Sequence, residues 1–333
     1  MKQPQIIQLP KFLDERGNLS FFENENQIPF TIRRMHWIYD VPGGEERGGL
    51  AYKTTEEFIV AMSGSFDVLV DDGQQQYRFS LNRSYMGVYV PAGTWRMIDN
   101  YSTNSVAVIA ASTHYDPEDA IREFEDFRSW RMESNQKDLK KNTESSVIEN
   151  DLNEMTPQSA CLQASRQLDD SSRTDIVAQS LLDESVQKMP KNPENKYSVY
   201  DCGIIELDRH HSQRKGDISV VENGKEVPFD VKRIYYLYDV PGGESRGSHG
   251  HKHLQQLILA ASGAFTVTLD DGENKKAFIL NRPYQGLLIK PGIWRTLDDF
   301  SSGSVCLVLA SEKYDEADYI RDYSEFIEFR NSL

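Results

Sequence analysis

Cysteine is scarce: the 333 residues hold three, Cys161, Cys202 and Cys306, widely spaced and without a CxxC. That argues against a disulfide framework and a zinc knuckle. Long apolar runs are missing too. No stretch approaches the roughly 18 to 20 residues a membrane-spanning helix needs, and the opening MKQPQIIQLPKFLDERG lacks the apolar core of a secretory signal. A cytoplasmic address with no membrane partner is the expectation. Positive charge is in deficit: 37 Lys and Arg stand against 52 Asp and Glu, a net charge of −15. Nucleic acid and anionic lipid are therefore poor partners, and a phosphate-bearing ligand must meet a local basic pocket.

What the chain does have is itself, twice. RRMHWIYDVPGGEERGGLAYK lies over KRIYYLYDVPGGESRGSHGHK, and SLNRSYMGVYVPAGTWRMID over ILNRPYQGLLIKPGIWRTLD. A constant offset of 199 positions pairs Gly17 with Gly216, Tyr39 with Tyr238, Trp95 with Trp294 and Arg122 with Arg321. Such self-similarity marks a tandem duplication. The expected division is a first domain over 1–131, a polar linker over 132–196 and a second domain over 197–333. The linker is poor in aromatics, and Ser172–Val186 within it has the pattern of a short helix.

Inside each copy the period is two. SFDVLVDDG and AFTVTLDDG alternate apolar and polar residues and stop at Asp-Asp-Gly, as strands ending in tight turns do. Many short strands punctuated by Gly and Pro predict an all-β sandwich or barrel. Each copy ends in a helical pattern, YDPEDAIREFEDF or YDEADYIRDYSEF, with Ile121, Phe124 and Phe127 (Ile320, Tyr323 and Phe326) spaced to cap the barrel.

The chemistry is concentrated in the second copy. Five residues after Gly243 come His249-Gly-His251, then Gln255, Gln256 and Gly263, the spacing of the first cupin motif; Gly286, Pro291 and Gly292 resemble the second. The resemblance implies two tandem cupin domains, double-stranded β-helices of jelly-roll type, each with a short C-terminal helix. A strand puts residues i and i+2 on one face, so both imidazoles should point into the barrel. The metal-binding cupins complete their shell with a carboxylate and a third histidine, where this chain has Gln256 and Arg295. An acid/base site with no metal and no cofactor is the better reading. Lys232, Arg233, Tyr235, Tyr236, Tyr238 and Arg246 gather cations and phenols around it, as an anionic ligand would require. His210 and His211 read as solvated loop, and Trp95 and Trp294 as packing at least as readily as ligand stacking.

These residues resemble the sugar-nucleotide 3,4-ketoisomerases. The resemblance is carried by VPFDVKRIYYLYDVPGGESRGSHGHKHLQQ, LDDG, GLLIKPGIW, DDFSSGSVCLVLAS and YDEADYIRDY, with Arg246, Gly247, His249 and His251 on the family's R-G-x-H-A-H. It implies an isomerase that moves the keto group of dTDP-4-keto-6-deoxyglucose from C4 to C3 in deoxysugar and polysaccharide biosynthesis. It also implies His249 as proton shuttle with His251 as its partner, and Arg233, Tyr235, Arg246, Lys215, Gln256 and Arg295 as substrate contacts. Two positions depart from the family: Gln213-Arg214-Lys215-Gly216 stands for D-x-R-G, and Trp294-Arg295 for Trp-His. A non-catalytic sugar-nucleotide-binding or regulatory cupin is the alternative, and a metal-dependent cupin oxygenase or epimerase a third possibility.

The first copy has Leu50 and Tyr52 where the second has His249 and His251. Neither does imidazole chemistry at neutral pH, so this copy is expected to be inactive. It retains Arg34, Arg47 and an intact Asp14-x-Arg16-Gly17. The expectation is an intramolecular pseudo-dimer, or a homodimer, in which the first copy lends Arg16 to the nucleotide.

Overall fold

The computed structural model describes residues 2–136 and 196–333. Residues 129–195 form a unit of their own, of which 129–136 are described and helical. The short helix expected over Ser172–Val186 lies outside the described residues, as does Cys161. Among the described residues no helix is long and apolar enough to cross a membrane.

Residues 1–128 and 196–333 form the other unit, which contains two cupin barrels, each built from a seven-stranded and a five-stranded antiparallel sheet. The alternation seen in the sequence is the alternation of burial: in Phe66–Asp71 and Phe265–Asp270 every other side chain faces the core. The turns after them close as expected. Asp71 Oδ1 accepts from Gly73 N at 2.7 Å, and Gly73 sits at φ 86°, a region glycine enters without strain.

The two barrels exchange strands. Arg34–Tyr39 of the first copy pairs on its outer side with Asp217–Glu222 of the second, and Arg233–Tyr238 of the second pairs with Asn18–Glu23 of the first. Gly17 is where the first copy crosses over. Its φ is 113°, and a Cβ there would lie 2.9 Å from the Val240 backbone. Gly216 is its counterpart, with φ 73° and a Cβ position 2.6 Å from the Tyr39 carbonyl.

A single apolar cluster joins both copies, with Phe22, Trp37, Tyr236 and Leu307 all fully buried. Each such side chain stabilises by about 1.5–3 kcal/mol, so the junction is core rather than a docking surface. Polar contacts set its register: Asn24 Nδ2 donates to the Val231 carbonyl at 3.1 Å, and Asn223 Nδ2 to that of Ile32 at 2.8 Å.

The C-terminal segment differs from the single helix expected of it. Glu316–Asp318 is a 3-10 turn, Tyr319–Ile320 a short strand paired with Gly250 and His251, and only Tyr323–Ser332 is α-helix. Asp322 caps that helix, accepting from the backbone of Ser324 and Glu325. Phe326 is fully buried against Trp294, which leaves Trp294 as packing.

Candidate active site

The strand Arg246–His251 carries the histidines, and it is not regular. Its pairing with Trp294–Asp298 slips between Arg246 and His249, and Gly247 sits at φ 80° beside Leu297, where a Cβ would come within 2.7 Å of that side chain. Such a bulge re-aims the residues after it. The two rings lie 5.0 Å apart and nearly perpendicular. Tyr319 packs on both, at 4.9 Å from His249 and 4.3 Å from His251.

The rings then diverge in setting. His249 lines a cavity of about 760 Å³, and its Nε2 is buried without a protein partner. His251 lies beneath, with both nitrogens engaged: Nδ1 is 2.9 Å from Asp318 Oδ2 and Nε2 is 3.3 Å from Gln256 Nε2. Gln256 also donates to the Tyr235 hydroxyl at 2.9 Å, and Arg295 holds the His249 carbonyl at 3.0 Å. Among the described residues no three His, Cys, Asp or Glu side chains are grouped as a metal ion would need.

The cavity is cationic in an acidic chain. Arg16, Arg233, Arg246, Arg295 and Arg321 line it against the lone carboxylate of Asp14. Asp14 bridges two of them, at 2.8 Å from Arg16 and 3.3 Å from Arg246, and Arg16 holds its carboxyl far below the usual carboxylate range. One wall comes from the other copy. Phe12, Leu13, Asp14, Arg16, Leu19 and Phe21 all belong to the exchanged segment of the first copy, and Glu23 at its end accepts from the backbone N–H of Tyr314 at 2.7 Å.

The structure gathers His249, Arg233, Tyr235, Arg246, Arg295 and Arg16 on this cavity, with His251 and Gln256 just beneath it. It takes Lys215 elsewhere. The same exchange that brings Arg16 in carries residues 211–216 to the first barrel, where Arg47 donates to the Gly216 carbonyl at 2.6 Å. His211 is likewise on that side, 2.5 Å from Asp217. Asp318, Tyr319, Tyr314 and the apolar pair Phe12 and Leu13 went unread in the sequence. The duplication held the signal for the last pair, since Asp14-x-Arg16-Gly17 is intact in the copy without histidines.

Burial pushes His251 down to about 3, with the Arg295 charge adding to it and Asp318 opposing, and burial pushes His249 well below the usual imidazole range. In the first barrel His36 is likewise pushed down to about 3 by burial and by Arg34. The folded chain thus refuses protons that the unfolded chain takes up below about pH 6.5. Stability is expected to be full above that pH and to fall as pH drops toward 3, by up to about 1.4 kcal/mol per pH unit for each imidazole. Urea unfolding between pH 7.5 and 5 checks this. A midpoint that stays flat or rises on acidification would contradict it.

A family model described as FdtA, WxcM-like, C-terminal, matches residues 2–132 and again 200–331. The chain belongs to this family. It carries the family's unit twice. The TDP-4-oxo-6-deoxy-alpha-D-glucose-3,4-oxoisomerase of Aneurinibacillus thermoaerophilus is 44% identical over 112 residues, which are 34% of this chain and 81% of that protein. Among solved structures, a 3,4-ketoisomerase from Helicobacter canadensis is 45% identical and covers 39% of this chain and 98% of its own, with a TM-score of 0.38. The 3,4-ketoisomerase QdtA from Thermoanaerobacterium thermosaccharolyticum, in complex with TDP, is 37% identical over 40% of this chain and 98% of its own, with a TM-score of 0.39.

Proposed function

We propose that the chain is a 3,4-ketoisomerase acting on TDP-linked 4-keto-6-deoxyglucose, with one working site in the second barrel. The observation that carries this is the unpartnered His249 Nε2 on the surface of an arginine-lined cavity. Moving a carbonyl from C4 to C3 needs a base to take the C3 proton, an enediolate intermediate, and an acid to return a proton to C4. No atom is gained or lost: one proton passes from C3 to C4, and a second must pass from O3 to O4, so one imidazole can carry the carbon-bound proton while a second group handles the oxygens. His249 takes that role, and His251 supports it from below.

The arginines explain why an imidazole held so low can act as a base. Burial and then the Arg295 charge disfavour its protonated form. The Arg321 and Arg233 charges act in the same direction, and a diphosphate entering beside Arg233 would offset them and shift His249 upward. Tyr235 and Arg295 face the same space and supply donors to the developing enolate oxygen.

Turnover of TDP-4-keto-6-deoxyglucose in deuterated water, followed by NMR, tests the reading. Product carrying deuterium at the sugar carbon is expected. Saturable binding without exchange would place the chain among sugar-nucleotide binders instead. Arg16 has a prediction of its own: in Arg16→Ala the KM rises about tenfold, roughly 1.4 kcal/mol of lost phosphate contact, while kcat changes little. An unchanged KM would sink the idea that the first copy lends this residue.

A further inference from the structure

We infer that Asp318 is a positioning residue: through His251 and Gln256 it fixes the direction of a hydrogen-bond chain that turns the Tyr235 hydroxyl proton toward the cavity, leaving His249 alone to exchange a proton with carbon. This inference rests on the isomerase reading above, but the geometry behind it does not.

The direction follows from what each group is able to do. Burial pulls the Asp318 carboxyl up, yet the contacts with His251 and with the His253 backbone N–H together hold the group below its ordinary value, hence ionised. An ionised carboxylate only accepts, so the proton between Asp318 Oδ2 and His251 sits on Nδ1. In the neutral ring Nε2 is then a lone pair. Gln256 meets it with an amide nitrogen, which only donates, at 3.3 Å. The second hydrogen of the same nitrogen goes to the Tyr235 oxygen at 2.9 Å, and Arg295 Nη2 is a second donor to that oxygen, at 3.5 Å. Burial keeps Tyr235 protonated. Its oxygen receives from two donors, so its own hydrogen is the one left to point elsewhere, and the ring lines the cavity. A phenol held as a donor there is placed for the enolate oxygen.

The duplication provides an internal comparison. Asp119 holds the place of Asp318 in the first copy, but Tyr52, Glu57 and His36 stand where His251, Gln256 and Tyr235 stand. Asp119 only clamps its loop, accepting from the backbone of Thr54 at 2.8 Å and of Thr55 at 3.2 Å. Asp318 does the same job with one oxygen, Oδ1 to His253 N at 2.7 Å, and spends the other on the imidazole. In Asp119 the second oxygen stays on the loop, at the Thr55 N–H and hydroxyl, so the imidazole contact is what sets Asp318 apart.

Asp318→Asn in the full chain separates the two. Its amide oxygen keeps the His253 clamp while its NH₂ meets Nδ1, so His251 must carry its proton on Nε2. That proton opposes the Gln256 N–H, and Gln256 must turn over, withdrawing its donor from Tyr235. The expected result is kcat down about a hundredfold, KM within about twofold, an unchanged melting profile, and a switch of the His251 tautomer in its ¹⁵N NMR signals. Asp119→Asn should leave kcat alone. A kcat for Asp318→Asn within threefold of the parent, or an Nε2–H tautomer in the parent, overturns the inference. If Asp318→Asn fails to fold, Tyr235→Phe takes its place: it removes only the hydroxyl, and an unchanged kcat refutes the relay. Absence of any turnover in the parent would refute the isomerase reading alone, because the tautomer readout does not depend on it.

Discussion

Replacing His249 with Asn is expected to lower turnover by about 10²–10⁴-fold, the range assigned to a positioned acid/base group, while TDP binds within a few-fold of its original affinity. The split follows from where the groups sit. His249 presents an unpartnered nitrogen to the cavity, whereas the cationic lining belongs to Arg16, Arg233 and Arg246. Neither His251 nor the first barrel is placed to take over. The Nε2 of His251 is occupied by Gln256 and its Nδ1 by Asp318, and the first barrel offers only Leu50 and Tyr52 at the matching positions. Deuterium wash-in and titration calorimetry on the same preparation measure the two halves. A residual rate within tenfold of the parent would mean that another group reaches the carbon, and His249 would lose its role. A parallel collapse of TDP binding would mean that the imidazole is part of the phosphate site.

Local chemistry was legible in the residues, and the path of the chain between barrels was not. Period-two alternation, Asp-Asp-Gly turns and the HxH spacing act over a few residues and can be read one segment at a time. Asn18–Glu23 has the same burial-ready pattern whichever barrel it joins, and only tertiary packing decides that it pairs with Arg233–Tyr238. This is why Lys215, which occupies the expected motif position in the second copy, ends at the first barrel, while Arg16, 233 positions from His249 in the sequence, reaches the histidine cavity. The C-terminal segment failed for a different reason. Ile320, Tyr323 and Phe326 do recur at helical spacing, but the chain contains two capping aspartates, Asp315 and Asp322, and each opens its own short element. Reading one helix through both hid the strand Tyr319–Ile320, and with it the placement of Asp318 and Tyr319 at the histidines.

Glu57→Ala carries the largest expected effect on stability, although Glu57 lies in the barrel without the histidines. Its carboxylate meets Arg96 at 2.7 and 3.0 Å, with both side chains almost fully buried. Burial pulls the Glu57 carboxyl up, but the Arg96 charge and its hydrogen bonds prevail and hold it below its ordinary value. Removing it strands a guanidinium in the barrel interior, a loss of about 3–5 kcal/mol and on the order of 10 °C in Tm for a unit of this size. The second barrel has Gln256 and Arg295 at these positions and uses them in its site, so the first barrel has exchanged a working interior for a fixed one. That rigidity matters to catalysis because Phe12, Asp14, Arg16 and Phe21 of the first copy wall the second copy's cavity, and the apolar cluster spans both copies. Loss of the first barrel should therefore abolish activity without any change to the histidines. Thermal inactivation and the circular-dichroism melt are expected to coincide in the parent, and to shift together in Glu57→Ala. Activity that outlasts the melting of the first barrel would show that the exchanged segment is dispensable and that the second barrel works alone.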